Sequence, residues 1–289
     1  MTEPLTLMIV HAHPDDECIG TGGIFARYSA EGVRTVLVTC TLGEEGEIVV
    51  PEWDTPENHA RLAEIREQEL LRAVKHLGIQ HLELLPYRDS GMMGRPSNQH
   101  PECFAQADLD EATGRLVRLV RQYRPHILIS YNEEGGYGHP DHINAHSITV
   151  AAFDAAGDAG RYVAAGAPWA PAKLYYISAR RSLWLRAWLG MRERGLKTPL
   201  DDENFDQSRY VDDQRINAVI DIRPFLAQKL QALREHRTQI RDDWFWLAVP
   251  EDLRGEMFDN EYFVRVASRV PVAEGIETDL FAGLRDAPR

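Results

Sequence analysis

The sequence predicts an α/β fold: a mostly parallel sheet flanked by helices, with a smaller mixed subregion towards the C-terminal end. Three observations carry this. Short apolar runs without charges, such as Leu5–Val10, recur along the chain and read as buried central strands. Segments with helical spacing of apolar residues alternate with them, as in βαβ units. Two strand-to-helix junctions each hold His, Pro and Asp together, more polar chemistry than packing requires, and ligands in open α/β sheets bind beyond the carboxyl ends of strands.

The first strand runs into His11-Ala12-His13-Pro14-Asp15-Asp16-Glu17, and Gly20-Thr21-Gly22-Gly23 opens a helix that Gly32 ends. That glycine cluster lacks the full dinucleotide fingerprint, so its small residues predict close helix–strand packing. Val33–Cys40, rich in β-branched residues, is the second strand. The acidic turn after it, around Glu44 and Glu45, reads as solvated. Thr55 caps a helix with Pro56 at its first position, and apolar spacing carries that helix to Leu77, where Gly78 closes it. His81–Leu85 is a third strand, followed by a glycine-bearing loop with Arg88 and Asp89, and then by an irregular stretch, 95–107. Asp108–Tyr123 is an amphipathic helix stopped by Pro125, and His126–Ser130 is the fourth strand. A second polar loop, Tyr131 to His142, ends in His139-Pro140-Asp141 before an Ala-rich helix from Ile143 to Ala156.

Beyond Gly157 the pattern loosens. Lys173–Ile177, Ile216–Ile222 and Tyr262–Val266 read as strands, Arg181–Arg194 and Pro224–His236 as helices, and Pro199–Asp213 as a polar surface loop. Trp184 and Trp188, four apart, are expected in the core. Residues 1–160 are therefore read as the metal-binding core. Residues 161–289 form a subregion packed on it that completes the substrate pocket, the whole being one domain. There are no internal repeats.

A net charge of −13 excludes nucleic acid as the main partner. No apolar stretch is long enough to span a bilayer and nothing resembles a signal peptide, so no membrane partner is expected. Three widely spaced cysteines, Cys18, Cys40 and Cys103, form no disulfide framework, which predicts a reducing, cytoplasmic setting. A homo-oligomer is compatible with this composition, which sets no oligomeric state.

A catalytic zinc takes three protein ligands and keeps one position open. His13 and Asp16, three apart at a helix start, can face one point, with His142 as the natural third ligand. Asp15, beside them, is then the general base towards a metal-activated water. His139 stands two residues before Asp141, which is expected to hold its ring and favour the imidazolium; with the Tyr137 hydroxyl it would stabilise an oxyanion. The competing explanation is that Asp15 and Asp16 merely cap the helix. Capping does not explain two such constellations at equivalent places. His11, nearer the strand, is expected to be buried and hydrogen-bonded behind the ligands.

His13-Pro14-Asp15-Asp16-Glu17 together with Gly138-His139-Pro140-Asp141-His142 resembles the LmbE-like (PIG-L) family of zinc-dependent N-acetylglucosaminyl deacetylases. Within it the chain is most similar to the branch holding the mycothiol-biosynthesis deacetylase and the mycothiol S-conjugate amidase. Thr39–Glu47, Arg88–Met92, Gly135–Gly138, His236-x-Thr238-Gln239 and Glu277–Leu280 match as well. The resemblance implies a Rossmann-like fold, one Zn2+ per chain (Fe2+ being the alternative ion) on His13, Asp16 and His142, and Asp15 as base. It implies His139 as acid or electrostatic stabiliser, Asp141 as its orienter and Tyr137 as oxyanion partner. Arg66 and Asp89 match positions that grip sugar hydroxyls, and Glu47 one near the far end of the substrate. The implied substrate is a small-molecule amino-sugar conjugate, N-acetylglucosaminyl-inositol or -malate, deacetylated in low-molecular-weight thiol biosynthesis. Ile19, where the amidase branch carries lysine, favours the deacetylase; Arg181–Asp213 matches neither branch. Cleavage of thiol-sugar S-conjugates and a non-catalytic nucleotide- or sugar-binding module are the rival readings.

Overall fold

The computed structural model describes residues 4–201 and 213–285. Most of the expected surface loop Pro199–Asp213 thus lies outside the described residues. A seven-stranded sheet in the order β3-β2-β1-β4-β5-β7-β6 organises the chain. Its strands are β1 (Thr6–His11), β2 (Arg34–Thr39), β3 (His81–Leu84), β4 (Ile127–Ser130), β5 (Lys173–Ser178), β6 (Ala218–Asp221) and β7 (Asn260–Ser268). The first five run parallel, whereas β7 pairs antiparallel with both β5 and β6. This is the expected α/β, Rossmann-like, mostly parallel sheet.

All six residues of β1 are buried, as a central strand covered on both faces requires. Leu7 and Ile9 point into one core layer, beneath α1 (Asp16–Ala30), α3 (Leu62–Leu77) and α8 (Leu226–Glu235), which pack on one another. Met8 and Val10 point into the other, beneath α4 (Leu109–Tyr123) and α6 (Pro140–Ala155). α1 lies close to the sheet because its glycines allow it: a Cβ on Gly20 would stand 2.8 Å from Ile177, and one on Gly23 2.5 Å from Ile222. The Gly20–Gly23 cluster is therefore a packing device.

The helix expected from Thr55 to Leu77 is divided. Thr55 caps a single turn, α2 (Pro56–His59), before the backbone leaves helical geometry at Arg61 and α3 begins. In the C-terminal half, α7 (Arg181–Glu193) and α10 (Glu251–Asp259) pack around a third core holding Trp184, Trp188 and Phe258, with Trp246 of the short α9 (Phe245–Ala248) edge-on to Trp184 at 4.3 Å. Sequence periodicity missed α9 and α10. The segment Glu277–Ala282 returns to the sheet: Glu277 exchanges backbone bonds of 2.8 Å with Asn217 and Val219 along β6. The fully buried Lys173 ammonium donates to Glu277 Oε1 and to the carbonyls of Leu280 and Ala282. No helix among the described residues is long and apolar enough to cross a membrane.

Candidate metal centre

β2 and β3 extend the sheet on one side of β1, and β4 starts the other, so strand order reverses between β1 and β4. The two polar loops leave the carboxyl ends of those two strands and meet in that crevice. There His13 Nδ1, Asp16 Oδ2 and His142 Nε2 form a triangle with edges of 3.3, 3.5 and 3.5 Å. Nitrogen and oxygen ligands about 2.0–2.1 Å from a tetrahedral ion stand roughly 3.3–3.5 Å apart, so the donors fit a zinc-sized cation.

The partners of each ring set which nitrogen faces the triangle. His142 Nδ1 donates to the Gly135 carbonyl at 3.1 Å, leaving the Nε2 lone pair inward. His13 Nε2 donates to Asp141 Oδ2 at 3.2 Å, leaving Nδ1 inward. Asp16 Oδ2 accepts from the His13 backbone N–H (2.9 Å) and the Tyr131 hydroxyl (2.7 Å). The carboxylate that a cap would use is thus committed to the triangle, and Asp15, at the N-cap position of α1, makes no side-chain cap bond. The capping explanation fails at both residues.

Glycine makes the second loop possible. Gly135 has φ +63, and a Cβ on it would lie 2.7 Å from His142 Cβ and 2.8 Å from the Ile143 nitrogen. Its carbonyl approaches the His142 ring only because that space is empty. The Tyr137 hydroxyl, from α5 (Gly135–Gly138), lies 3.4 Å from His142 Nε2.

Electrostatics follow from burying many carboxylates together. Burial opposes a charge on His13, but Asp141, Asp16 and Asp89 outweigh it and raise its pKa well above the usual range. Burial would also raise Asp16, yet the neighbouring His142 and His13 pull it well below the usual carboxylate range. The field that draws a second proton onto His13 also draws a divalent cation. Burial, and then the charge of His13, push His139 down to about 4 and His142 to about 3. Without a cation in the triangle, burial and the neighbouring His13 thus oppose the expected imidazolium at His139. Asp15 is pushed up to about 7 by burial, against the pull of Arg66 and with the repulsion of Asp16 and Glu17.

The remaining expected residues are distributed unevenly. Asp141 does not turn its carboxylate to His139: Oδ2 takes His13 Nε2–H and the Ser90 N–H at 3.0 Å, and Oδ1 takes the Ser90 hydroxyl. Only the backbone N–H of Asp141 reaches His139, donating to Nδ1 at 3.2 Å, which places the His139 proton on Nε2. Asp89 is buried; its Oδ1 lies 3.5 Å from His13 Nε2 and 4.0 Å from His139 Nε2. Arg66, 3% exposed, donates to the Gly43 carbonyl (2.7 Å), the Pro14 carbonyl (2.6 Å) and Asp15 Oδ2 (3.3 Å), and its Nε has no partner among the described residues. Glu47 stands apart, exposed and paired with Arg95 at 3.2 Å. The turn read as solvated is tied down, since Glu45 pairs with Arg88 and its N–H binds Asp89.

His11 is buried against Thr21 (2.8 Å) and the Tyr131 hydroxyl (3.1 Å), as expected. Tyr131 itself, stacked on His142 with ring centres 4.1 Å apart, went unread, as did Ser90 and the pair Glu17–His236. Tyr131 carried one legible signal, its place directly after the last strand residue of β4.

The family model for the PIG-L GlcNAc-PI de-N-acetylases matches residues 8–153. A 1D-myo-inositol 2-acetamido-2-deoxy-alpha-D-glucopyranoside deacetylase of Geodermatophilus obscurus is 42% identical, over 98% of this chain and 99% of that relative. A protein of the same name from Streptomyces avermitilis is 42% identical, over 96% and 97%. Among solved structures, an N,N'-diacetylchitobiose deacetylase from Pyrococcus horikoshii superposes with a TM-score of 0.63 at 20% identity, covering 90% of this chain and 83% of that one. The 4-carboxy-2-hydroxymuconate hydratase GalB of Pseudomonas putida does so with 0.59 at 20% identity, covering 93% and 99%. At such identities the likeness carries the fold alone, and the hydratase marks how far chemistry diverges on it.

Proposed function

The chain belongs to the PIG-L family of de-N-acetylases, and from that premise we propose that it hydrolyses the acetamide of N-acetylglucosaminyl-inositol, releasing acetate and the free amine. It is a deacetylase, a hydrolase of a linear amide C–N bond. The supporting observation is the triangle of His13 Nδ1, Asp16 Oδ2 and His142 Nε2, whose hydrogen-bond partners turn all three donor atoms to one point. Zinc is the ion proposed there.

Held by His13, Asp16 and His142, the ion would supply Lewis acidity and lower the pKa of the attacking water to about 7. Asp15, matched to that range, takes the proton of the attacking water. The His139 Nε2–H and the Tyr137 hydroxyl donate to the oxygen of the acetyl carbonyl as it gains charge. Asp15 then returns its proton to the departing amine. Arg66 and Asp89 are the proposed sugar contacts, both buried beside the triangle, Arg66 on Asp15 and Asp89 next to His13 and His139. Glu47, exposed, serves only the far end of the substrate.

The test is primary-amine release from N-acetylglucosaminyl-inositol, N-acetylglucosaminyl-malate and a thiol-sugar S-conjugate, each with and without chelator. Chelator-sensitive turnover of the inositol conjugate above the other two is expected. Preference for either of the others reassigns the substrate, and chelator-resistant turnover refutes the metal chemistry.

A further inference from the structure

Asp15 has φ +99 and ψ −33, a strained conformation that a residue with a Cβ rarely adopts and keeps only where its surroundings impose it. Those surroundings are specific. The peptide that joins Pro14 to Asp15 is gripped at both poles by buried charged side chains. Its carbonyl accepts from Arg66 Nη2 at 2.6 Å, and its N–H donates to Glu17 Oε2 at 2.9 Å. The other oxygen of Glu17 is held by His236 Nε2 at 2.6 Å and by the Cys18 thiol at 3.0 Å.

Glu17 and His236 are both fully buried, 219 positions apart, and touch none of the three donor atoms of the triangle. His236 caps the end of α8 in a turn that is itself anchored. Glu69, also buried, accepts from the Thr238 backbone N–H and hydroxyl at 2.8 and 2.7 Å. A buried ion pair contributes little net stability compared with an apolar pair of the same volume, so stability does not account for placing one here. Holding a strained peptide does.

We infer that Glu17 and His236 are positioning residues for the base: with Arg66 they clamp the Pro14–Asp15 peptide and hold Asp15 at the backbone angle that aims its carboxylate. This rests on the reading of Asp15 as the base. The clamp runs from α8 through Glu17 to the first loop, so the C-terminal half of the chain sets the geometry of the N-terminal motif.

The experiment compares Glu17→Ala, Glu17→Gln and His236→Ala with the wild-type protein in three readouts: steady-state deacetylation of N-acetylglucosaminyl-inositol, zinc affinity, and hydrogen exchange of the Asp15 amide in the metal-free protein. Glu17→Ala is expected to lower kcat about 100-fold, the usual effect of a small misplacement, with KM and zinc affinity within about threefold. Its Asp15 amide should exchange at least about tenfold faster, since its acceptor is gone. Glu17→Gln, whose amide oxygen still accepts that N–H, should recover most of the loss, and His236→Ala should fall between. Unchanged kcat and exchange in Glu17→Ala, zinc affinity falling in step with kcat, or Glu17→Gln as impaired as Glu17→Ala would each overturn the clamp. If Glu17→Ala does not fold, the Glu17→Gln and His236→Ala pair decides. A wild-type protein without deacetylase activity would refute the proposed function, while the exchange measurement would still report on the clamp.

Discussion

Asp141→Asn separates two roles for one carboxylate. Proximity in sequence assigns Asp141 to His139, whereas the structure gives its carboxylate to His13 and Ser90. In the variant the amide oxygen replaces Oδ2, and the NH2 group faces the Ser90 hydroxyl, which already accepts the Ala105 N–H and must turn its own proton away. What is lost is the charge on the acceptor. Hydrogen bonds to charged groups contribute about 1.5–3 kcal/mol and neutral ones about 1 kcal/mol, so His13 Nε2–H loses roughly 0.5–2 kcal/mol of support, centred a little above 1. At about 1.4 kcal/mol per factor of ten, zinc affinity should fall about tenfold. Asp141→Ala leaves the Ser90 N–H and hydroxyl without acceptors and His13 Nε2–H with only Asp89 Oδ1 at 3.5 Å, and should cost about 100-fold, the upper range for residues that orient a metal ligand. Competition of zinc between the protein and a chromophoric chelator measures both, and kcat is read at saturating metal. Unchanged zinc affinity in Asp141→Asn with a large fall in kcat would refute this reasoning and return the carboxylate to His139.

Four further outcomes are expected. Asp15→Asn should bind zinc as tightly as wild type but lose about 100- to 10,000-fold in kcat, by activity assay beside metal analysis. Because the base works deprotonated, wild-type kcat/KM should be full above the pKa of Asp15 and fall as pH drops through it, at 7 or below once a cation favours the carboxylate; an acid limb surviving in Asp15→Asn would assign it elsewhere. Gly135→Ala should lower zinc affinity more than any substitution at exposed Glu47, because its Cβ pushes His142 out of the triangle. Lys173→Met removes the buried ammonium but leaves Glu277 with Arg265 and the Tyr175 hydroxyl, and should cost about 1.5–3 kcal/mol, or roughly 3–9 °C in a thermal melt, without changing kcat.

The ligand triangle was legible because each of its members carries a distinctive side chain at a strand-to-helix junction, where polar residues cannot serve the core. The partner of Asp141 was not. Residues two apart in the first turn of a helix do not face each other, so its carboxylate passes over His139 to His13, 128 positions away. The burial of Arg66 was not legible either, since it stands beside Glu67 and Glu69 on an amphipathic helix. What buries it is the missing side chain of Gly43, where a Cβ would lie 2.0 Å from Nη1, and a glycine in a loop announces no partner. The parallel half of the sheet followed from apolar runs alternating with helices. The antiparallel β7 and β6 did not, since hydrophobic periodicity carries no strand direction. Likewise the break at Arg61 is a backbone event inside an unbroken apolar rhythm.

An open sheet has two rims, and each exposes a row of amide groups to any strand that drifts by. One rim here is β3, only four residues long. The other is β6, and Glu277 closes it by taking the Val219 N–H and giving its own to Asn217. Lys173, reaching through the sheet to Glu277, Leu280 and Ala282, locks that closure from inside. Glu277–Ala282 is thus a guard against intermolecular strand addition: without it, β6 offers a ready template for aggregation, at a rim far from the chemistry.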